Sequence, residues 1–537
     1  MSNSTRAPAP LVVQNSQRWL GNDGTWSTFY VHVGTPPQHF HVLPSFNGQT
    51  IYLPIDQDCE RLNITDCGSL RGVEVFQARP SLGFQPNASS TWDEIGIYRI
   101  GLGYLHGLTG NGVFGFDTVG TSTGTSVDVP TLKNQAIAAY ATEDFWLGQL
   151  GLSMFPLNMS GIEAPHSFLS RLKEEGHIPS LSFGFQAGAA HRFTKVPGSL
   201  ILGGYDRSRR SNNSLLVPAT EDITIGLQSI TATLSNGTVT TLLNRGILAV
   251  MNTDVPELWL PPSVCDTFAS ALGLTYHNES NRYALTEATH SQLQDLAPKF
   301  SFKIGTSVAS GESIIIEIPY AAFDLQANYP IYTSPTNYFP LRRALNEGQY
   351  ALGRAFLQEV YLTVDWERDI FNVSQAVFSA PPPEPDIVTI EPKNRTLIPI
   401  PGPGGDSNNS TKLGAGAIAG IVIGSILLVV LVVGGWWFYR RRKVTKKYAA
   451  EQEALPVEEK KDPREFAPEA MADKKTPVEK TNLELEGRMV EEMYAPHGES
   501  EVQQHTSGEK ATRVASEAVE MESPQPIYEL PSSDVNR

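Results

Sequence analysis

Short hydrophobic runs broken by polar turns organise the first two thirds of the chain, and one such pattern occurs twice. Val42-Leu43-Pro44-Ser45-Phe46-Asn47-Gly48-Gln49-Thr50-Ile51-Tyr52-Leu53-Pro54 enters a polar turn as one hydrophobic strand and leaves as another. Ala249-Val250-Met251-Asn252-Thr253-Asp254 running into Leu258-Trp259-Leu260-Pro261 repeats it about one domain's length later. Between and after the copies, Asp222-Ile223-Thr224-Ile225 and the run from Glu312 to Pro319 alternate with the period of half-buried strands. Residues 262–273 predict a short helix carrying Val264, Phe268 and Leu272 on one side. Two related β-rich lobes meeting across a cleft are the architecture this pattern predicts.

The repeated stretch resembles the turn that each lobe of a pepsin-like aspartic peptidase carries, hydrophobic–hydrophobic–x–Asp–Thr/Ser–Gly. The first copy aligns without a gap, with Tyr52 at the usual Trp position. Ser45 then falls at the catalytic Asp, Phe46 at the Thr and Asn47 at the Gly. The second copy puts Asn252 at the Asp, Thr253 at the Thr or Ser, and Asp254 at the Gly. The resemblance implies an all-β, bilobal fold whose catalytic acids are both replaced. Two carboxylates a few Å apart share one proton, and one activates water while the other polarises the scissile carbonyl. Neither Ser45 nor Asn252 can take that proton at an accessible pH, although each can still hydrogen-bond water. Asp254 is expected to be a poor substitute, because the family needs glycine there for a tight turn.

Further stretches carry the resemblance from residue 25 to 380. Residues 26–38 read as a strand stopped by Gly34-Thr35-Pro36-Pro37. Residues 95–120 correspond to the hairpin that covers the cleft as a flap, with the flap tyrosine near Leu105 and Tyr104 one residue away. Leu147–Leu152 and Leu352–Leu357 match the segments beneath the two loops. The cleft candidates are therefore Asn47, Gly48, Tyr104, Leu105, Thr253 and Asp254. Cys59 and Cys67 are implied to pair, as one disulfide of this family does, and an oxidising compartment agrees with that. Cys265 is left over.

The end of the chain adds a second theme. Residues 381–412 are rich in Pro, Glu and Asn and predict an extended stalk. Gly414 to Phe438 is 25 residues without a charge, long enough for a helix across about 30 Å of hydrocarbon. With Arg440-Arg441-Arg442-Lys443 behind it, the expected topology is a single span over 413–439, the N-terminal domain outside or lumenal, and the tail cytoplasmic. Plasma membrane or a vacuolar or secretory membrane is the expected destination. This end narrows the resemblance to the fungal, membrane-anchored type. Asn-x-Ser/Thr sequons at Asn63, Asn87, Asn158, Asn212, Asn236, Asn278, Asn372 and Asn394 all precede the span, as do others at Asn3, Asn408 and Asn409. Gly416, Gly420 and Gly424 share a face that predicts weak self-association. The acidic tail, 440–537, reads as disordered, a plain spacer or else a site for a cytoplasmic partner. Residues 1–24 are polar and hold no signal peptide, so either a preceding segment or the span itself is expected to direct insertion.

The expected domains are thus 1–24, an N-terminal lobe 25–215, a C-terminal lobe 216–380, the stalk, the span and the tail. A net charge of −16 argues against nucleic acid as a partner. Scattered histidines and the lack of a His-Glu-x-x-His or phosphate-loop motif give a metal or cofactor no support. The leading functional expectation is an inert peptidase-like surface protein holding a peptide or wall ligand in its cleft. The alternatives are an active membrane-anchored endopeptidase and a glycoprotein sensor that signals through its tail.

Overall fold

The computed structural model describes residues 8–62, 64–121, 130–159 and 163–394. Strands dominate, and the fold is β-rich rather than strictly all-β, since short helices such as Asp56–Leu62, Phe168–Glu174 and Glu287–Leu296 flank the sheets. The helix expected after the second turn forms as Pro262–Leu272. Proline starts it and Gly273, at a φ of 68°, stops it. Phe268 and Leu272 are buried beneath it together with Cys265.

Each copy of the repeated turn sits in an eight-stranded sheet of its own half. The pairing around the two turns is the same. Gln38–Ser45 runs parallel to Gly148–Gly151, which then pairs antiparallel with Ile51–Pro54. In the second half, Ile247–Met251 runs parallel to Ala351–Leu352, which pairs antiparallel with Leu258–Leu260. In each half a short strand, ending at Gly151 in one and followed by Gly353 in the other, thus slots between the arms of the turn. Glycine is needed there because a Cβ on Gly151 would lie 2.4 Å from the Gly48 carbonyl oxygen.

A six-stranded sheet joins the halves, combining Leu11–Val13, Ser182–Gln186 and Ser199–Leu202 with Val360–Asp365, Ile370–Ala376 and Arg210–Pro218. Its Phe183 and Phe185 pack against Phe46, so the core runs continuously under the first turn. After residue 380, Ile387–Thr389 pairs with Gly204–Asp206 and keeps the chain on the fold.

The expected membrane anchor has to be withdrawn. Among the described residues no helix is long and apolar enough to cross a membrane. Pro262–Leu272, at 11 residues, reaches only about 16 Å, roughly half the hydrocarbon thickness. The expected span 413–439, its Gly416, Gly420 and Gly424 face and the tail lie outside the described residues. The single-pass topology, the outside-to-cytoplasm division, the bilayer, the tail partner and self-association therefore have no support and are not carried further.

Candidate active site

The site forms where the two turns face each other across the lobes. On the first, Ser45 ends its strand completely buried. Its hydroxyl accepts a hydrogen bond from the Gly48 backbone N–H at 2.9 Å and donates one to Asp254 Oδ1 at 2.7 Å. The position after it, Phe46, turns its ring into the core between Phe183 and Phe185. Its backbone N–H crosses to the other lobe and reaches Thr253 Oγ1 at 3.2 Å. Gly48 has no room for a side chain, since a Cβ would lie 2.9 Å from Ser45 Oγ.

On the second turn, Asn252 is buried and its Oδ1 accepts the Asp254 backbone N–H at 2.7 Å. That short local bond holds the amide in a fixed direction. Asp254 does not adopt a left-handed backbone, so a side chain here carries no φ penalty. The carboxylate reaches over to Ser45 from a residue 209 positions away. Burial pushes its pKa up to about 6, while the Ser45 hydroxyl and the Arg354 charge work in the opposite direction. The same negative charge, added to burial, raises the Tyr52 phenol.

Behind the dyad, Arg354 donates from Nη1 to the Thr253 carbonyl at 2.7 Å, pairs with Asp23 and lies over the Trp26 ring. Arg354 and Asp254 both line a small cavity of about 30 Å³ on this side, with Gln149 and Asp23. In front, a pocket of about 440 Å³ is lined by Asn47, Gln49, Tyr52, Asn252 and Phe114, with the flap tip above. Asp254 and Ser45 are not among its lining residues.

The flap is the hairpin Asp93–Arg99 with Asn111–Gly120. Tyr104 and Leu105 occupy its tip and are 61% and 44% exposed, so neither serves as a buried hydroxyl beside the first turn. The buried tip residue is His106. Its ring meets Trp259 edge-on at 4.9 Å, and Nε2 lies 3.2 Å from the Gln349 carbonyl oxygen of the second half. Gln349 in turn donates from Nε2 to the Leu105 carbonyl at 2.6 Å. The expected peptide or wall ligand finds no support here: the flap tip is joined to the opposite wall over the pocket.

Cys59 and Cys67 form the implied disulfide, and Cys265 is a buried free thiol whose pKa burial raises to about 12. Asn87, Asn158, Asn212, Asn236, Asn278 and Asn394 are exposed, and Asn63 lies outside the described residues. Asn372 differs, being half-buried in a strand, with Nδ2 donating to Ser214 and the sequon's Ser374 fully buried. Sequence reasoning missed His106, Gln349 and Arg354 as site residues and named Trp259 only as part of the second repeat. The repeat pattern marks turns, and these four act from the walls around them.

With this geometry in place, comparison with known proteins becomes informative. The family model described as eukaryotic aspartyl protease matches residues 28–376. Gastricsin of Cavia porcellus is 26% identical over 353 residues, covering 62% of this chain and 76% of that protein. Gastricsin of Suncus murinus is 25% identical over 343 residues, covering 62% and 77%. Secreted aspartic protease 6 of Candida albicans is 24% identical over 370 residues, covering 67% and 78%. Relatives from both mammals and a yeast leave the narrower resemblance, to a fungal membrane-anchored type, without support. The chain belongs to the eukaryotic aspartyl protease family, by a match that spans both turns.

Proposed function

We propose that this chain is a catalytically silent member of its family, in which a Ser45–Asp254 contact between the lobes has taken the place of the acid pair. The observation that carries this reading is the commitment of the Ser45 hydroxyl. Fully buried, it spends its one proton on Asp254 and accepts from the Gly48 N–H. It therefore has no proton to offer a carbonyl and no path to a substrate. Asn252 is likewise committed through Oδ1, which leaves only its Nδ2 to donate toward the pocket. A donor alone can polarise an oxygen but cannot deprotonate water.

Asp254 is the one carboxylate of the dyad region. A group that titrates near 6 would make a serviceable base by pKa, but geometry comes before pKa in choosing a base. Its Oδ1 holds Ser45, and the residue faces the small rear cavity rather than the pocket. What the contact supports instead is a tie between lobes, alongside Phe46–Thr253 and Asp23–Arg354.

The test is digestion of denatured protein by the full chain between about pH 3 and 6, where a two-acid dyad works, with and without a transition-state-mimicking aspartic-peptidase inhibitor. No cleavage is expected. Inhibitor-sensitive cleavage by the unsubstituted chain overturns the reading.

A further inference from the structure

We infer that the small rear cavity is a binding site for one ordered water, held by Asp254, Gln149 and Arg354, and that Gln149 positions the Asp254 carboxylate through it. The inference holds whether or not the dyad reacts, because the cavity lies apart from the front pocket and shares only Gln149's neighbourhood with the turns. The three side chains are 7%, 4% and 5% exposed, in that order. Each keeps one buried polar atom without a protein partner: Asp254 Oδ2, Gln149 Oε1 and Arg354 Nε. All three residues line the same cavity of about 30 Å³. A buried polar group left unpaired is costly, and nearly all find a partner in protein or water.

The rest of each group is already committed. Asp254 Oδ1 accepts from Ser45, and the Asp254 backbone N–H goes to Asn252. Arg354 gives Nη1 to the Thr253 carbonyl and Nη2 to Asp23, whose other carboxylate oxygen accepts Trp26 Nε1–H. Gln149 is fixed by its backbone, in the strand Gly148–Gly151 that pairs with both arms of the first turn. What remains beside the cavity is two acceptors and one donor. Gln149 belongs to the first half and the other two residues to the second, so whatever joins them also ties the halves.

This donor set selects water. A water donates to Asp254 Oδ2 and Gln149 Oε1 and accepts from Arg354 Nε–H, three bonds, the usual number for a buried water. Ammonium or a metal cation cannot accept that N–H and would lie against the guanidinium. An anion would lie against the Asp254 carboxylate. The cavity is about the size of one water's share of the liquid, which leaves no room for an organic ligand. The same water also serves protonated Asp254. It then accepts from the carboxyl O–H and from Arg354, and still donates to Gln149.

The first test is a crystal structure of the unsubstituted full chain at a resolution that shows ordered waters. One oxygen should stand within hydrogen-bonding reach of Asp254 Oδ2, Gln149 Oε1 and Arg354 Nε. A dry cavity, or an oxygen that reaches only one of the three atoms, overturns the site. The second test is Gln149→Leu, a side chain of similar size without an acceptor, which should expel the water. The Asp254 carboxyl, followed by carbon-detected NMR in the full chain, should then titrate about one pH unit higher, because its charged form loses a donor. An unmoved titration in the folded variant overturns the positioning role of Gln149. If Gln149→Leu does not fold, the crystal structure of the unsubstituted chain decides alone.

Discussion

The two turns share one backbone and have parted in their side chains. In both halves a short strand slots parallel to the incoming arm and antiparallel to the outgoing one. Across the lobes the Phe46 N–H still meets Thr253 Oγ1. Yet the first turn has become apolar and closed, with Ser45 fully buried and Phe46 inserted between two aromatic rings. The second has become more polar, gaining the Asp254 carboxylate where a glycine would sit. The difference teaches that backbone pairing holds this architecture in place independently of the acids. On the reading proposed above, that pairing leaves Ser45 free to serve cohesion between the lobes through Asp254.

The largest effect expected from breaking this comparison is a gain of activity. Ser45→Asp with Asn252→Asp alone should remain inactive, because Asp254 would crowd a third carboxylate into the pair. Adding Asp254→Gly should restore acid digestion of denatured protein, by roughly the 10²–10⁴-fold that a positioned acid–base group supplies. Activity in the two-site variant would show that Asp254 does not interfere.

Removing the ring that closes the first turn should come next. Phe46→Ala is expected to cost about 3–5 kcal/mol in denaturant unfolding, since it leaves a cavity between Phe183 and Phe185. A loss under about 1 kcal/mol would mean that the ring does not anchor the turn.

The pH dependence of stability should follow in size. Asp254 has its folded pKa raised to about 6, so the folded state binds a proton more readily than the unfolded chain. Its contribution is therefore fully present below the ordinary carboxylate range near 4 and is lost as pH rises through 6. The change is up to about 3 kcal/mol. Unfolding of Asp254→Asn should lack that decline between pH 4 and 7, and an identical decline in both proteins would remove Asp254 as its source. Smallest is Ser45→Ala, expected to cost about 1–3 kcal/mol, because a buried carboxylate oxygen loses its donor. A neutral result would contradict the tie.

The fold was legible in the chain because its signals are local. Strand, turn and helix stop are written in neighbouring residues, as with Pro262 and Gly273 around one helix. The turns that carry Ser45 and Asn252 were legible for the same reason, since each is written in one run of the chain. What those two side chains do was not. The Ser45–Asp254 bond joins residues 209 apart, and the His106–Gln349 contact joins residues 243 apart. Nothing in either neighbourhood encodes the other. The expected membrane helix had a strong composition signal, yet it fell on residues outside those described.

The central claim is that one carboxylate, not two, occupies the former dyad and that it is held to Ser45. Carbon-detected NMR of the aspartate carboxyl groups across pH 3–8 tests it most directly. The account predicts a single transition near 6 that vanishes in Asp254→Asn. Two coupled transitions from the dyad region, or an Asp254 that titrates near 4 like a solvated carboxyl, would contradict it.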